Sequence, residues 1–166
     1  MPRWLMVLVG MLSVLFLSAM PLGPVAGAAE APIGRLGDTL RVQDGDIIAD
    51  VTLVSVAPSD IPPGWGNPPK WPHYQVYKAV LAVHAVQVPN PYKMSVAFSF
   101  RGVTPTGDAY EPRNTDAPDD LRPALQGAVP GSTVGGAVYW DAYRDPPSNV
   151  VLIDKQTGFH LAQWNL

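Results

Sequence analysis

Proline and glycine interrupt this 166-residue chain at 19 and 15 positions, too often for long helices in its body. Between the interruptions apolar residues alternate with period two, the spacing at which one side of a strand meets a core and the other does not. From Ile47 to Val56, the residues Ile47, Ala49, Val51 and Leu53 share one face, and Ile48, Asp50, Thr52 and Val54 share the other. From Tyr74 to Val88, a core face of Tyr77, Ala79, Leu81, Val83 and Ala85 opposes Lys78, Val80, Ala82 and His84. Met94 to Arg101 reads as a further strand, with Met94, Val96, Phe98 and Phe100 inward and Ser95, Ala97, Ser99 and Arg101 outward. Thr104-Pro105-Thr106-Gly107 suits a turn, because proline presets a negative φ and glycine accepts a positive one, and Ala109 to Glu111 returns as a hairpin.

Asp119 to Gln126 predicts one helical turn connecting two sheets, with an aspartate cap at its start and Gly127 at its end. Beyond it, Val138, Trp140 and Ala142 face one way and Tyr139, Asp141 and Tyr143 the other, while Asn149 to Ile153 and Phe159 to Trp164 flank a turn ending at Gly158. About seven to nine short strands with frequent turns predict an all-β sandwich of two packed antiparallel sheets, a closed barrel being the other arrangement such a pattern allows.

The amino terminus has a different character. Arg3 precedes an apolar run from Trp4 to Met20, a break at Pro21, and the small-residue sites Ala26-Gly27-Ala28 and Ala29-Glu30-Ala31. That order describes a secretory signal peptide over residues 1–31, cleaved after Ala28 or after Ala31, leaving a domain over 32–166. The run is nearly long enough to span a bilayer as an uncleaved anchor, but Pro21, Gly23 and Pro24 end its helix early, and no later stretch is apolar enough to span. An extracellular location follows, whether released or held at the cell surface. With no cysteine, the exported domain has neither disulfides nor thiol chemistry, and packing alone must hold it. A net charge of −3 with acids and bases interspersed leaves no basic stripe for nucleic acid and no polybasic patch for a membrane.

Several stretches, in order, resemble a known family. Ile33-Gly34-Arg35-Leu36-Gly37-Asp38 is similar to its opening, Ile61-Pro62-Pro63-Gly64-Trp65 to its proline-glycine-aromatic loop, and Tyr77 to Ala85 to its long central strand. Thr106-Gly107-Asp108-Ala109-Tyr110 resembles its hairpin, and the close is the best match: Val129-Pro130-Gly131 through Gly136, Val138-Tyr139-Trp140-Asp141 and Leu161-Ala162-Gln163-Trp164. The family is that of the mycobacterial secreted immunogenic proteins of the MPT-sixty-three type. The resemblance implies an immunoglobulin-like sandwich, secretion, and a family with no established enzymatic activity or cofactor; it supplies no catalytic residue to carry over. This chain departs from the pattern in a longer loop from Pro58 to Pro72, rich in tryptophan and proline, and in an acidic insertion from Asp116 to Asp120.

Chemistry-bearing residues are sparse. His73, His84 and His160 show no metal-ligand spacing, Asp116, Asp119 and Asp120 lack the repeat and turn glycine of a calcium loop, and Pro130-Gly131-Ser132 reads as a turn rather than a nucleophile elbow. Glu111 is the sole glutamate after residue 31, so no pair of glutamates offers itself for glycoside hydrolysis, and Asp141 falls on an outward face where its charge is expected to be solvated. The expectation is therefore a non-catalytic binding protein with no metal or cofactor, whose partner is a host or cell-envelope protein or glycan. Trp140 and Trp164 belong at core positions. Trp65 and Trp71, with Tyr74 beside them, are the candidate binding residues, since a proline-rich loop carrying two indoles either packs them over a sheet end or presents them. A carbohydrate-binding module would use the same rings as flat stacking platforms; a hydrolase, the remaining alternative, would require a cleft with convergent polar groups and a perturbed acid or base.

Overall fold

The two longest alternating segments pair with each other. In the computed structural model, which describes residues 30–166 apart from Pro69, they form β3 (Ile47–Ser59) and β4 (Gln75–Gln87), joined antiparallel over almost their whole length. With β2 (Thr39–Asp44) and β7 (Thr133–Ala142) they make a four-stranded sheet in the order β2-β3-β4-β7. The second sheet contains β1 (Ile33–Arg35), β5 (Phe98–Val103), β6 (Ala109–Tyr110), β8 (Asn149–Asp154) and β9 (His160–Asn165), ordered β1-β9-β8-β5-β6. All strand pairs are antiparallel except β1 with β9. Nine described strands in two packed sheets make this an all-β sandwich rather than a closed barrel. The predicted signal peptide up to residue 29 lies outside the described residues.

The core fills the space between the sheets. Ile47, Ala49, Val51 and Leu53 of β3 and Ala79, Leu81, Val83 and Ala85 of β4 are buried, as their alternation predicts, against Phe98, Phe100, Val150, Leu152, Trp140 and Trp164 of the other strands. Each core indole finds the acceptor that its buried N–H requires: Trp140 Nε1 donates to Phe100 O at 2.8 Å and Trp164 Nε1 to Asp38 O at 3.0 Å. A register shift between Leu53 and Ser55 leaves Val54 exposed and brings Val56 to the inner side opposite Ala79. Such a bulge inserts one residue and so reverses the alternation beyond it.

Two sequence expectations need correction. Met94 to Ala97 is not strand: it belongs to helix α1 (Pro91–Ala97), and only Phe98 onward is β5. Asn90 caps the helix by accepting a 3.0 Å hydrogen bond from Tyr92 N, and Pro91 takes the first helical position, where its missing N–H costs nothing. The helical period keeps Met94 buried, adds Ser95 and Ala97, and turns Val96 outward. The loop expected from Pro58 also starts later, because β3 continues to Ser59; β2 stops opposite Thr52, so Pro58 pairs on one side only and its lack of an N–H is tolerated.

The short helix α2 (Leu121–Gln126) is capped by Asp120 at its start and Gly127 at its end, close to the expected place. It lies against β7, and a single isolated bridge joins Asp120 to Ala137. The approach is close enough that a side chain at Gly136 would meet the Leu121 backbone at 2.5 Å. The turn after β5 is formed as read, with Gly107 at φ 90° and its N–H bonded to Thr104 O at 3.0 Å.

Candidate functional site

The connection between β3 and β4, residues 60–74, folds back over the outer face of the four-stranded sheet. That face carries Val76 and Lys78 on β4 and Ala137, Tyr139 and Asp141 on β7, with Val76 opposite Asp141 and Lys78 opposite Tyr139. Trp65 lies on it, only 2% exposed, and forms a second small apolar cluster with Val76, Ala117, Ala137 and Tyr139. Its ring meets Tyr139 edge-on at 6.3 Å between centroids, and the Arg113 guanidinium stacks 4.7 Å from its centre.

A polar knot holds the indole in place. Trp65 Nε1 donates to both Tyr74 Oη at 2.9 Å and Asp141 Oδ1 at 3.0 Å, while Tyr74 Oη donates to the same Asp141 oxygen at 2.7 Å. Arg113 forms a salt bridge with the other Asp141 oxygen, and its second arm donates to Trp65 O at 2.8 Å. Asp141 is on the outer face, as the alternation required, but it is not solvated: the loop and Arg113 leave its side chain 15% exposed. Both carboxylate oxygens have donors, which compensates for the lost water. Burial, helped by the Asp141 carboxylate, pushes the Tyr74 phenol up to about 12, so it stays a donor at neutral pH.

The acidic insertion buttresses the same loop. Asp116 N and Thr115 Oγ1 both donate to Pro63 O at 2.8 Å, and Gly64, at φ 75°, packs so closely on Asp116 that no side chain fits there. Asp119 accepts from Tyr139 Oη at 2.8 Å and pairs with Lys78 at 2.6 Å; the lysine lowers the Asp119 carboxyl below its ordinary range, and Asp119 raises Lys78. Asp120 caps α2. Asp119 and Asp120 thus have partners for their carboxylates, while Asp116 acts through its backbone N–H.

The two loop indoles behave oppositely. Trp71 is 58% exposed and leans on Tyr143, ring centroids 6.4 Å apart and planes tilted by 40°; Tyr143 in turn meets Tyr110 edge-on at 5.3 Å. Tyr110 is buried and donates to Asp145 O at 2.8 Å, which fixes the base of this aromatic row. Of the three candidate binding residues, Trp65 and Tyr74 are brought together through Asp141, and Trp71 stands apart with Tyr143. The histidines are dispersed: His73 is exposed in the loop, His84 Nδ1 lies 3.0 Å from Thr133 Oγ1, and His160 Nε2 donates to Ala162 O at 3.1 Å on the other sheet. Among the described residues no group of three or more His, Asp or Glu side chains is arranged to hold a metal ion.

A family model described as a domain of unknown function, DUF1942, matches residues 31–163. The chain belongs to that family. The crystal structure of MPT63, a secreted protein from Mycobacterium tuberculosis, shares its fold with a TM-score of 0.59 at 21% sequence identity, covering 84% of this chain and 100% of that one. The resemblance read from the sequence is correct on both counts. No curated protein matches this chain by sequence.

For this DUF1942 domain, sequence reasoning missed Arg113, Asp141 and Tyr143 as parts of the site. Tyr143 had a signal, since an aromatic placed directly after the end of β7 and read as outward-facing needs a cover or a partner. Arg113 had none, because nothing local ties it to a tryptophan 48 positions away in the chain.

Proposed function

We propose that this domain is a secreted, non-catalytic binding protein whose contact surface is the aromatic row led by Trp71. One observation carries the reading: a large indole stands 58% exposed on a loop whose root is fixed by the buried Trp65. Prolines at positions 62, 63, 68 and 72 stiffen the segment, so little entropy is lost when a partner covers it. Exposed tryptophans on stiff supports are typical interface anchors, surrounded by contacts that exclude water. In this reading Trp65 and Tyr74 position the loop and Trp71 makes the contact.

Secretion is supported by the order of Arg3, apolar run and Ala-x-Ala sites, and by the structural relative MPT63 being a secreted protein. No helix among the described residues is long and apolar enough to cross a membrane. The partner class is a host or cell-envelope protein. The 40° tilt between Trp71 and Tyr143 favours a protein over a glycan, because sugar rings stack on flatter platforms. A pull-down from host and envelope fractions with domain 32–166, run beside Trp71→Ala, tests this. A protein retained by the parent and lost by the variant supports the reading; equal retention by both removes Trp71 from the interface.

A further inference from the structure

A groove of about 480 Å³ opens beside β5, away from the aromatic row, between Phe98 and Ser99 of β5, Arg122 of α2 and the Lys155-Gln156 turn. Its volume lies in the usual range for small-molecule sites. Arg122 and Lys155 are exposed, and among the described residues neither has a carboxylate within salt-bridge distance. In a chain of net charge −3, where most other cations here pair with acids, two unpaired cations at one opening are a local exception.

A second, independent observation points the same way. Ser99 is 3% exposed, lines the groove, and its hydroxyl has no hydrogen-bond partner among the described residues. Buried polar atoms without partners are uncommon and call for a specific reason. Asn114 and Gln156 add amide donors at the rim, while Phe98 and Val96 supply an apolar flank. The lining therefore combines hydrogen-bond donors and positive charge with apolar surface.

We propose that this groove binds a small organic oxyanion with an apolar flank, a carboxylate or a phosphate monoester, whose charged group is held by Arg122 and Lys155 and accepts a hydrogen bond from Ser99 Oγ. The apolar part lies along Phe98 and Val96. Recognition of this kind needs no residue of the aromatic row, so the two sites fail or stand separately.

Titration of the isotopically labelled domain by NMR tests it, with phenyl phosphate, benzoate and neutral benzyl alcohol as probes. The expected result is saturable shifts at the amides of Ser99, Arg122 and Lys155 with one or both anions, and none with the alcohol. The anion that binds more tightly identifies the head group. The double variant Arg122→Gln, Lys155→Gln weakens binding by about tenfold or more, the scale of lost charge-assisted hydrogen bonds. Ser99→Ala weakens binding while leaving the melting temperature unchanged or raised, because it removes a hydroxyl that nothing satisfies; a purely structural serine would lower it. Absence of saturable shifts with both anions, equal shifts with the alcohol, or unchanged affinity in the double variant overturns the proposal.

Discussion

Replacing Trp65 with alanine removes the plug between the loop and the outer face of the sheet. The indole is almost fully buried, donates to Tyr74 and Asp141, and lies under Arg113. Buried tryptophan to alanine changes cost about 3 to 5 kcal/mol. The low end applies here, because the roof of this cluster is a loop that can settle into the space. Apolar burial of the indole is the largest part of that loss of about 3 kcal/mol, with the hydrogen bonds and the guanidinium contact supplying the rest. For a domain of this length that corresponds to a fall in Tm of about 10 °C. Trp65→Phe keeps ring packing and loses the N–H, but Tyr74 still donates to Asp141, so its expected cost is about 1 kcal/mol. Urea unfolding followed by far-UV circular dichroism measures both without relying on the tryptophan signal being changed. A loss below about 1 kcal/mol for Trp65→Ala would show that the cluster is not a structural plug.

Two further perturbations probe the same frame. The Tyr74 phenol is raised from its ordinary 10.0 to about 12, mainly by burial and then by Asp141, so the folded state holds that proton more tightly than the unfolded chain. Its contribution is whole below pH 10 and is lost as pH rises toward 12; Tyr74→Phe should flatten the alkaline limb of stability across that window, with Tyr110 and Tyr139, also raised by burial, leaving a residual slope. An alkaline limb identical in parent and variant refutes the coupling. Gly136→Ala places a methyl group against the Leu121 backbone and should cost roughly 1 to 3 kcal/mol in thermal melts by pushing α2 off β7, whereas Gly135→Ala, with 3.6 Å to its nearest neighbour, should be milder; equal effects contradict the close approach.

Alternation was a sound guide wherever one side of a strand faces the core throughout. Ile47 to Leu53, Ala79 to Ala85, Trp140 and Trp164 are buried as the pattern requires. It misled at Met94 to Ala97, where four residues fit period two by coincidence while Asn90-Pro91, a helix-start signal, stood just upstream. It also placed Asp141 on the correct face yet misjudged its surroundings, because period two says which way a side chain points and nothing about a cover arriving from 76 residues away. The same limit applies within the loop. Composition marked Trp65 and Trp71 alike, and only the contacts of Arg113 and Asp141 with one of them separate plug from platform. The parallel pairing of β1 with β9 likewise joins the two ends of the domain, a contact that no local pattern encodes.

The central claim is that Trp65 holds the loop and Trp71 meets the partner. It is tested most directly by measuring, on Trp71→Ala and its parent, the melting temperature and the affinity for the retained partner together. The account predicts an unchanged melt, since Trp71 is largely exposed, and an affinity loss of about 2 kcal/mol, roughly thirtyfold. A lowered melt with affinity intact would contradict it and return Trp71 to the fold.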